Sequence, residues 1–173
     1  LEACYSRDGA LLYDGIRQQL VNNPIPVLAR ELKPSLHHNL DRLHLCLVTP
    51  LHVLKEKKMW NRFEWDPFIK TLCRRLGALL RYHEPPGGDP IDFRPFLLDE
   101  PSPTVAWEQT QRIMIRRYSN RNKKKDRMEG MVGMVELNHI TPATYWLLRI
   151  AEYTHLGKKT SMGQGQVQIR LFG

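Results

Sequence analysis

From Arg42 onward, the order of hydrophobic periods narrows the fold more than any other feature: alternating, helical, alternating, alternating, helical, alternating. "RLHLCLVT" sets Leu43, Leu45 and Leu47 against Arg42, His44 and Cys46, which predicts a strand with one apolar face. Pro50 follows, and "HVLKEKKMWNRFEW" reads as an extended, partly basic loop. "DPFIKTLCRRLGALLRYHE" then predicts a helix with Asp66 as N-cap and Pro67 at its first position. Phe68, Ile69, Leu72, Leu76, Leu79 and Leu80 make its stripe, with Lys70, Arg74 and Arg81 off it.

"TVAWEQTQRIMIRRYS" alternates again, with Val105, Trp107, Ile113 and Ile115 on one side and Arg112, Met114, Arg116 and Tyr118 on the other. The basic turn "NRNKKKDRM" and the strand "EGMVGMVELN" complete a hairpin. Thr141 and Pro142 open a second helix, with Trp146, Leu147, Ile150 and Ala151 on one side and Gly157 placed to end it. "GQVQIRLF" closes the chain as a strand, Val167, Ile169 and Leu171 against Gln166, Gln168 and Arg170.

This order predicts an α+β, ferredoxin-like (RRM-like) split β-α-β-β-α-β domain over residues 40–173, with two helices on one face of a four-stranded antiparallel sheet. The other face is left for a partner, and the alternation assigns Arg42, His44, Arg112 and Arg116 to it. Residues 1–39 carry no such pattern. "NNPIP" and "KPS" punctuate them, and they read as the tail of an upstream element plus a linker. With no initiator Met, the chain is expected to be a fragment or a processed product.

At 173 residues, 42% apolar and 25% charged, the chain can bury one good core or two small ones. It has neither an apolar run of about 18 residues nor the pattern of a signal peptide, so no membrane is expected. Cys4, Cys46 and Cys73 form no C-x-x-C pair, which argues against a disulfide framework or zinc knuckle and for a reducing cytoplasm. The histidines lack metal-binding spacings, so neither metal nor other cofactor is expected.

Net charge is +8, and "RRYSNRNKKKDR", Arg116 to Arg127, supplies +6 of it through seven positive groups and one negative. Clustered charge of this kind suits adjacent phosphates of a nucleic acid, although a charge run is more often a solvated surface. The candidates here are Arg112, Arg116, Arg117, Lys123, Lys124 and Lys125. The strands lack the stacking aromatics of a standard RNA-recognition motif. The second candidate is "HLGKKTSMGQGQV". Gly157, Gly163 and Gly165 let backbone approach phosphate, Lys158 and Lys159 add charge, and Thr160 and Ser161 add donors. The order helix, loop, strand is the reverse of a Walker loop, and a helix stop plus a tight turn accounts for the same residues.

These segments together resemble a family. "LCLVTPLHVLKEKKMW" is similar to the strand entry of the C-terminal domain of CRISPR precursor-RNA-processing endoribonucleases, members of the RAMP superfamily. "FIKTLCRRLGALLRYH" resembles their first helix, with Arg74 and Arg75 as its arginine pair. "RRYSNRNKKKDRMEGMVGMVEL" resembles their Arg-Tyr-Ser strand and the Gly-x-x-Gly strand, here Gly130 and Gly133. "HLGKKTSMGQGQVQI" resembles the superfamily's glycine-rich loop, with His155 where many members have their first glycine.

The resemblance implies two ferredoxin-like domains in tandem that bind the repeat of a CRISPR transcript and cut it without metal. In that chemistry the ribose 2′-OH attacks the adjacent phosphate, which requires a base and an acid. It further implies that a catalytic histidine commonly lies in the first domain, of which residues 1–39 would be a remnant and linker. The chain alone is then expected to bind repeat RNA and cut it poorly. The catalytic residues stay unassigned: His37 and His38 are weak candidates, with Tyr118 or His155 behind them, and "HHN" also reads as a solvated linker. Other CRISPR-associated proteins are further expected partners, and a homodimer is open. Two alternatives stand beside this reading: a non-catalytic RAMP subunit holding guide RNA in an effector complex, and a ferredoxin-like regulatory module binding a small anion at the glycine loop.

Overall fold

The computed structural model describes residues 3–5, 11–14, 16–20, 29–32, 41–55, 57–83, 92–93, 97, 101–119 and 123–172. The chain divides into two compact units, Leu1–Glu31 and Leu32–Gly173. In the first, β1 (Ala3–Tyr5), β2 (Leu11–Asp14) and β3 (Gln19–Leu20) form an antiparallel sheet in that order. Asp14 holds the last turn, its Oδ1 accepting the N–H of Ile16 at 2.9 Å and of Arg17 at 3.1 Å.

The second unit runs β4 (Arg42–Leu51), α1 (Trp65–His83), β7 (Thr104–Ser119), β8 (Lys124–Asn138), α2 (Pro142–Thr154) and β9 (Val167–Leu171). Between β4 and α1 lies a two-stranded ribbon, β5 (Leu54–Lys55) and β6 (Lys58–Met59). The four-stranded sheet is antiparallel in the order β7-β8-β4-β9, as the ferredoxin-like pattern requires. Register explains the core. Leu43 lies opposite Leu137 and Leu171, Leu45 opposite Val135 and Ile169, and Leu47 opposite Val167. These apolar sets share a face, and all but the exposed Leu171 pack with Phe68, Leu72, Leu147, Leu148 and Ala151 from the two helices.

Local chemistry fixes the helix starts. Thr141 Oγ1 accepts the Thr144 N–H at 3.1 Å, capping α2 ahead of Pro142. The buried stripe of α2 is centred on Thr144, Leu147, Leu148 and Ala151, with Trp146 and Ile150 only half-buried, so it is offset from the expected one. Glu152 is also buried; it pairs with Arg149 and its Oε1 accepts the Ile169 N–H at 3.0 Å, satisfying a donor on the edge strand β9.

Three expectations fail for physical reasons. Asp66 lies within the first turn of α1 and not at its N-cap: the helix already starts at Trp65, the Phe68 N–H donates to the Glu64 carbonyl at 3.3 Å, and the Asp66 carboxylate pairs with Lys70 one turn on at 2.8 Å. The segment read as an extended basic loop buries Val53, Trp60 and Phe63 in the core, and Phe63 packs on Phe68 with ring centroids 5.2 Å apart. The face assignment of β7 fails at a bulge. Val105 lies opposite Leu137 but Trp107 lies opposite Glu136, so the extra residue at Ala106 reverses the alternation. Trp107 therefore shares the uncovered face with His44, whereas Arg112, opposite Met131, shares the helix-side face. Arg42 and His44 do occupy the uncovered face, beside Phe172, but Arg112 and Arg116 do not join them.

Candidate nucleic-acid interface

The glycine loop is built by backbone hydrogen bonds to the end of β4. α2 stops at His155 (φ 52°), and after Lys159 (φ 59°) the chain makes one 3-10 turn, Thr160–Met162. The Lys158 N–H donates to the His52 carbonyl at 3.1 Å, that of Gly165 to Pro50 at 3.1 Å, and that of Gln166 to Thr49 Oγ1 at 2.9 Å. The N–H groups of Met162 and Gly163 close the turn onto Lys159 and Thr160 at 2.9 and 3.0 Å. These donors hold the loop in place. What it turns to solvent is the side chains of Lys158, Ser161 and Met162 and the open surface of Gly163.

The hairpin outruns the sheet. β4 pairs with β8 only as far as Met131, while β7 and β8 stay paired to Ser119 and Lys124. The first seven residues of β8, 124–130, therefore form half of a two-stranded arm, roughly 23 Å long at about 3.3 Å per residue. On it Arg116 lies directly opposite Arg127, both exposed. Like charges in that position repel, and an anion between them would turn the repulsion into attraction. Arg112 on the same face is already paired, its Nη2 2.7 Å from Glu129 Oε2. The Arg112 hydrogen bond, with the nearby charges of Arg112, His52 and Arg127, holds the Glu129 carboxyl below the usual range.

Arm and loop meet. Lys159 Nζ donates to the Arg127 carbonyl at 2.7 Å. His52 Nδ1 lies 3.0 Å from the Glu129 carbonyl, while its own carbonyl holds Lys158. The structure thus brings Lys158, Lys159, Thr160, Ser161, Gly157, Gly163 and Gly165 together with Arg112 and Arg116. Lys123 sits at the arm's end (φ 47°), and the backbones of Arg117, Lys124 and Lys125 continue its strands. His37 and His38 lie outside the described residues. His155 Nδ1 is 3.3 Å from the Gln164 carbonyl, and Tyr118 is exposed on the arm. Sequence reasoning passed over His52, Glu129 and Arg127. His52 and Glu129 are 77 residues apart, so no spacing could join them. The register of the hairpin alone could have set Arg127 against Arg116.

Cys46 and Cys73 are free thiols, and burial pushes Cys73 up to about 11, which suits an unreactive packing residue. Among the described residues, no three His, Cys, Asp or Glu side chains are grouped to hold a metal ion, and no helix is long and apolar enough to cross a membrane.

The sheet order, the two helices on one face and the loop between α2 and β9 define an α+β domain of the ferredoxin-like class. Residues 45–167 match the family described as CRISPR-associated endoribonuclease Cas6, and the chain belongs to that family. Its structure is similar to that of a Cas6 (TTHA0078) product complex, with a TM-score of 0.53 and 20% identity over 84% of this chain and 57% of that one. It is also similar to Thermus thermophilus Cas6 (TTHB231), with a TM-score of 0.56 and 18% identity over 83% of this chain and 58% of that one. A partial Cas6-RT-Cas1–Cas2 complex gives a TM-score of 0.57 and 12% identity over 82% of this chain and 25% of that one. At these identities the likeness is one of fold. The chain spans somewhat over half the length of the Cas6 structures it matches. No curated protein matches its sequence.

Proposed function

We propose that this chain is the RNA-binding C-terminal part of a CRISPR repeat endoribonuclease that cuts precursor RNA by metal-independent 2′-OH attack. Residues 1–39 are, on this reading, the end of a preceding ferredoxin-like domain and its linker. The observation that carries it is the junction of glycine loop and arm, where Lys159 Nζ bonds the Arg127 carbonyl and four cationic side chains, Lys158, Lys159, Arg116 and Arg127, gather on one rim. Such a rim suits a track of phosphates. Family membership supports the substrate class, and relatives solved in a product complex and with Cas1–Cas2 support RNA and Cas proteins as partners.

The test is a titration of the 173-residue chain with repeat RNA at several salt concentrations. Tight binding is expected, with log affinity falling linearly against log salt, and the RNA is expected to stay uncut. Affinity that ignores salt would overturn the phosphate track. Efficient cleavage, blocked by a 2′-deoxy sugar at the cut site, would overturn the assignment of this chain to binding and bring His37 and His38 forward.

Arg116→Glu separates binding from folding. It replaces a repulsive cross-strand pair with an attractive one, so stability should rise by a few tenths to about 1 kcal/mol. RNA affinity should fall, because one phosphate contact is reversed and Arg127 is occupied. Chemical denaturation and anisotropy measure the two. If stability and affinity fall together, Arg116 is a structural residue and not a phosphate contact.

A further inference from the structure

His52 stands at the centre of the junction without a role in holding phosphate. Its backbone is fixed: the carbonyl takes the Lys158 N–H at 3.1 Å, and a Cβ on Gly157 would lie 2.7 Å from that same oxygen. Only a glycine there lets the loop close on His52. The ring is fixed as well. Nδ1 lies 3.0 Å from the Glu129 carbonyl. A carbonyl oxygen can only accept, so Nδ1 carries the hydrogen and neutral His52 has its lone pair on Nε2. Nε2 has no hydrogen-bond partner among the described residues, and the side chain is partly exposed.

The neighbours make this lone pair distinctive. Lys158, Lys159, Arg116 and Arg127 can only donate, which matches the phosphate oxygens of a nucleic acid. Glu129 is occupied by Arg112. An oriented acceptor among donors has a specific complement, because the backbone of RNA carries one hydrogen-bond donor, the ribose 2′-OH, and that of DNA carries none.

We propose that His52 Nε2 accepts a hydrogen bond from the 2′-OH of the nucleotide seated on the glycine loop, making His52 the residue by which this domain distinguishes RNA from DNA. The inference rests on the RNA-binding reading above and adds the contact that gives it sugar specificity. Lys158 and Lys159 supply affinity that is blind to the sugar; His52 supplies discrimination.

The experiment compares wild-type chain, His52→Ala and His52→Gln with an RNA oligonucleotide of the repeat and the DNA oligonucleotide of the same sequence, at fixed salt. Wild type should prefer RNA. His52→Ala should lose roughly five- to tenfold in RNA affinity, the worth of one hydrogen bond to a sugar hydroxyl. Its DNA affinity and its salt slope should stay unchanged. His52→Gln, whose amide oxygen can also accept, should recover part of the preference and guards against failure of the alanine variant to fold. Equal losses for RNA and DNA, or an RNA preference that survives both substitutions, would overturn the inference and leave the RNA-binding reading standing. Failure of the wild type to bind either oligonucleotide would overturn both.

Discussion

Gly165→Ala is expected to remove more than about 3 kcal/mol of stability from the second unit, a large share of the roughly 5–15 kcal/mol that holds a domain folded. Positive φ alone does not give that figure: an alanine in the left-handed region costs about 1–2 kcal/mol. What decides is space. A Cβ at Gly165 would sit 1.7 Å from the Leu156 carbonyl oxygen and within 3 Å of the Leu156 backbone carbon and nitrogen. Neither partner can retreat. The Leu156 N–H donates to the Gly165 carbonyl at 3.0 Å, the Gly165 N–H donates to Pro50 at 3.1 Å, and Leu156 is fully buried. Gly163 is the internal control. Its φ is 82°, close to the 77° of Gly165, yet nothing lies within 4 Å of the Cβ it would gain. Gly163→Ala should cost no more than about 1–2 kcal/mol. Urea denaturation of the two variants separates clash from conformation. Equal losses would show that φ, and not the contact with Leu156, sets the need for glycine.

The same loop marks where the sequence was readable and where it was not. Alternation in "RLHLCLVT" and the Thr141–Pro142 start come from nearest neighbours, so the element order, the start of α2 and the buried Leu43, Leu45 and Leu47 were legible, whereas α1 starts ahead of the expected Asp66 cap. Strand faces are also local until a bulge intervenes, and the one extra residue near Ala106 moved Arg112 and Arg116 to the other side of the sheet. The glycines and lysines of the loop were legible as a group. That Gly165 serves Leu156, that Gly157 makes room for the His52 carbonyl, and that Lys159 reaches Arg127 depend on contacts 9, 105 and 32 residues apart in the chain. Composition carries no trace of such contacts. Trp60 and Phe63 were hidden for a related reason. They sit in a polar, lysine-rich stretch, and only closure of the β5–β6 ribbon turns them into the core.

Reversing both lysines of the loop, Lys158→Glu with Lys159→Glu, should lower RNA affinity on the order of a hundredfold, two charge-assisted contacts at about 1.5 kcal/mol each. The slope of log affinity against log salt should shrink by about 1.4, the release expected for two phosphates of a single strand. Fold should survive. Lys158 is exposed, and the loop is held through the Lys158 N–H, which any residue but proline supplies. Lys159 gives up its bond to the Arg127 carbonyl, but that contact lies at the exposed rim and its loss costs little. Carboxylates there would also approach Arg127 and Arg116 and occupy the cations left on the arm. Affinity should therefore fall further than in the double alanine variant, with an unchanged melting temperature in each. The decisive comparison is between sugars. Because lysines read phosphate and His52 reads the 2′-OH, the reversed variant should lose RNA and DNA affinity by the same factor and keep its preference for RNA. A preference that collapses with the lysines would place sugar recognition on the loop's own side chains and not on the imidazole beneath them.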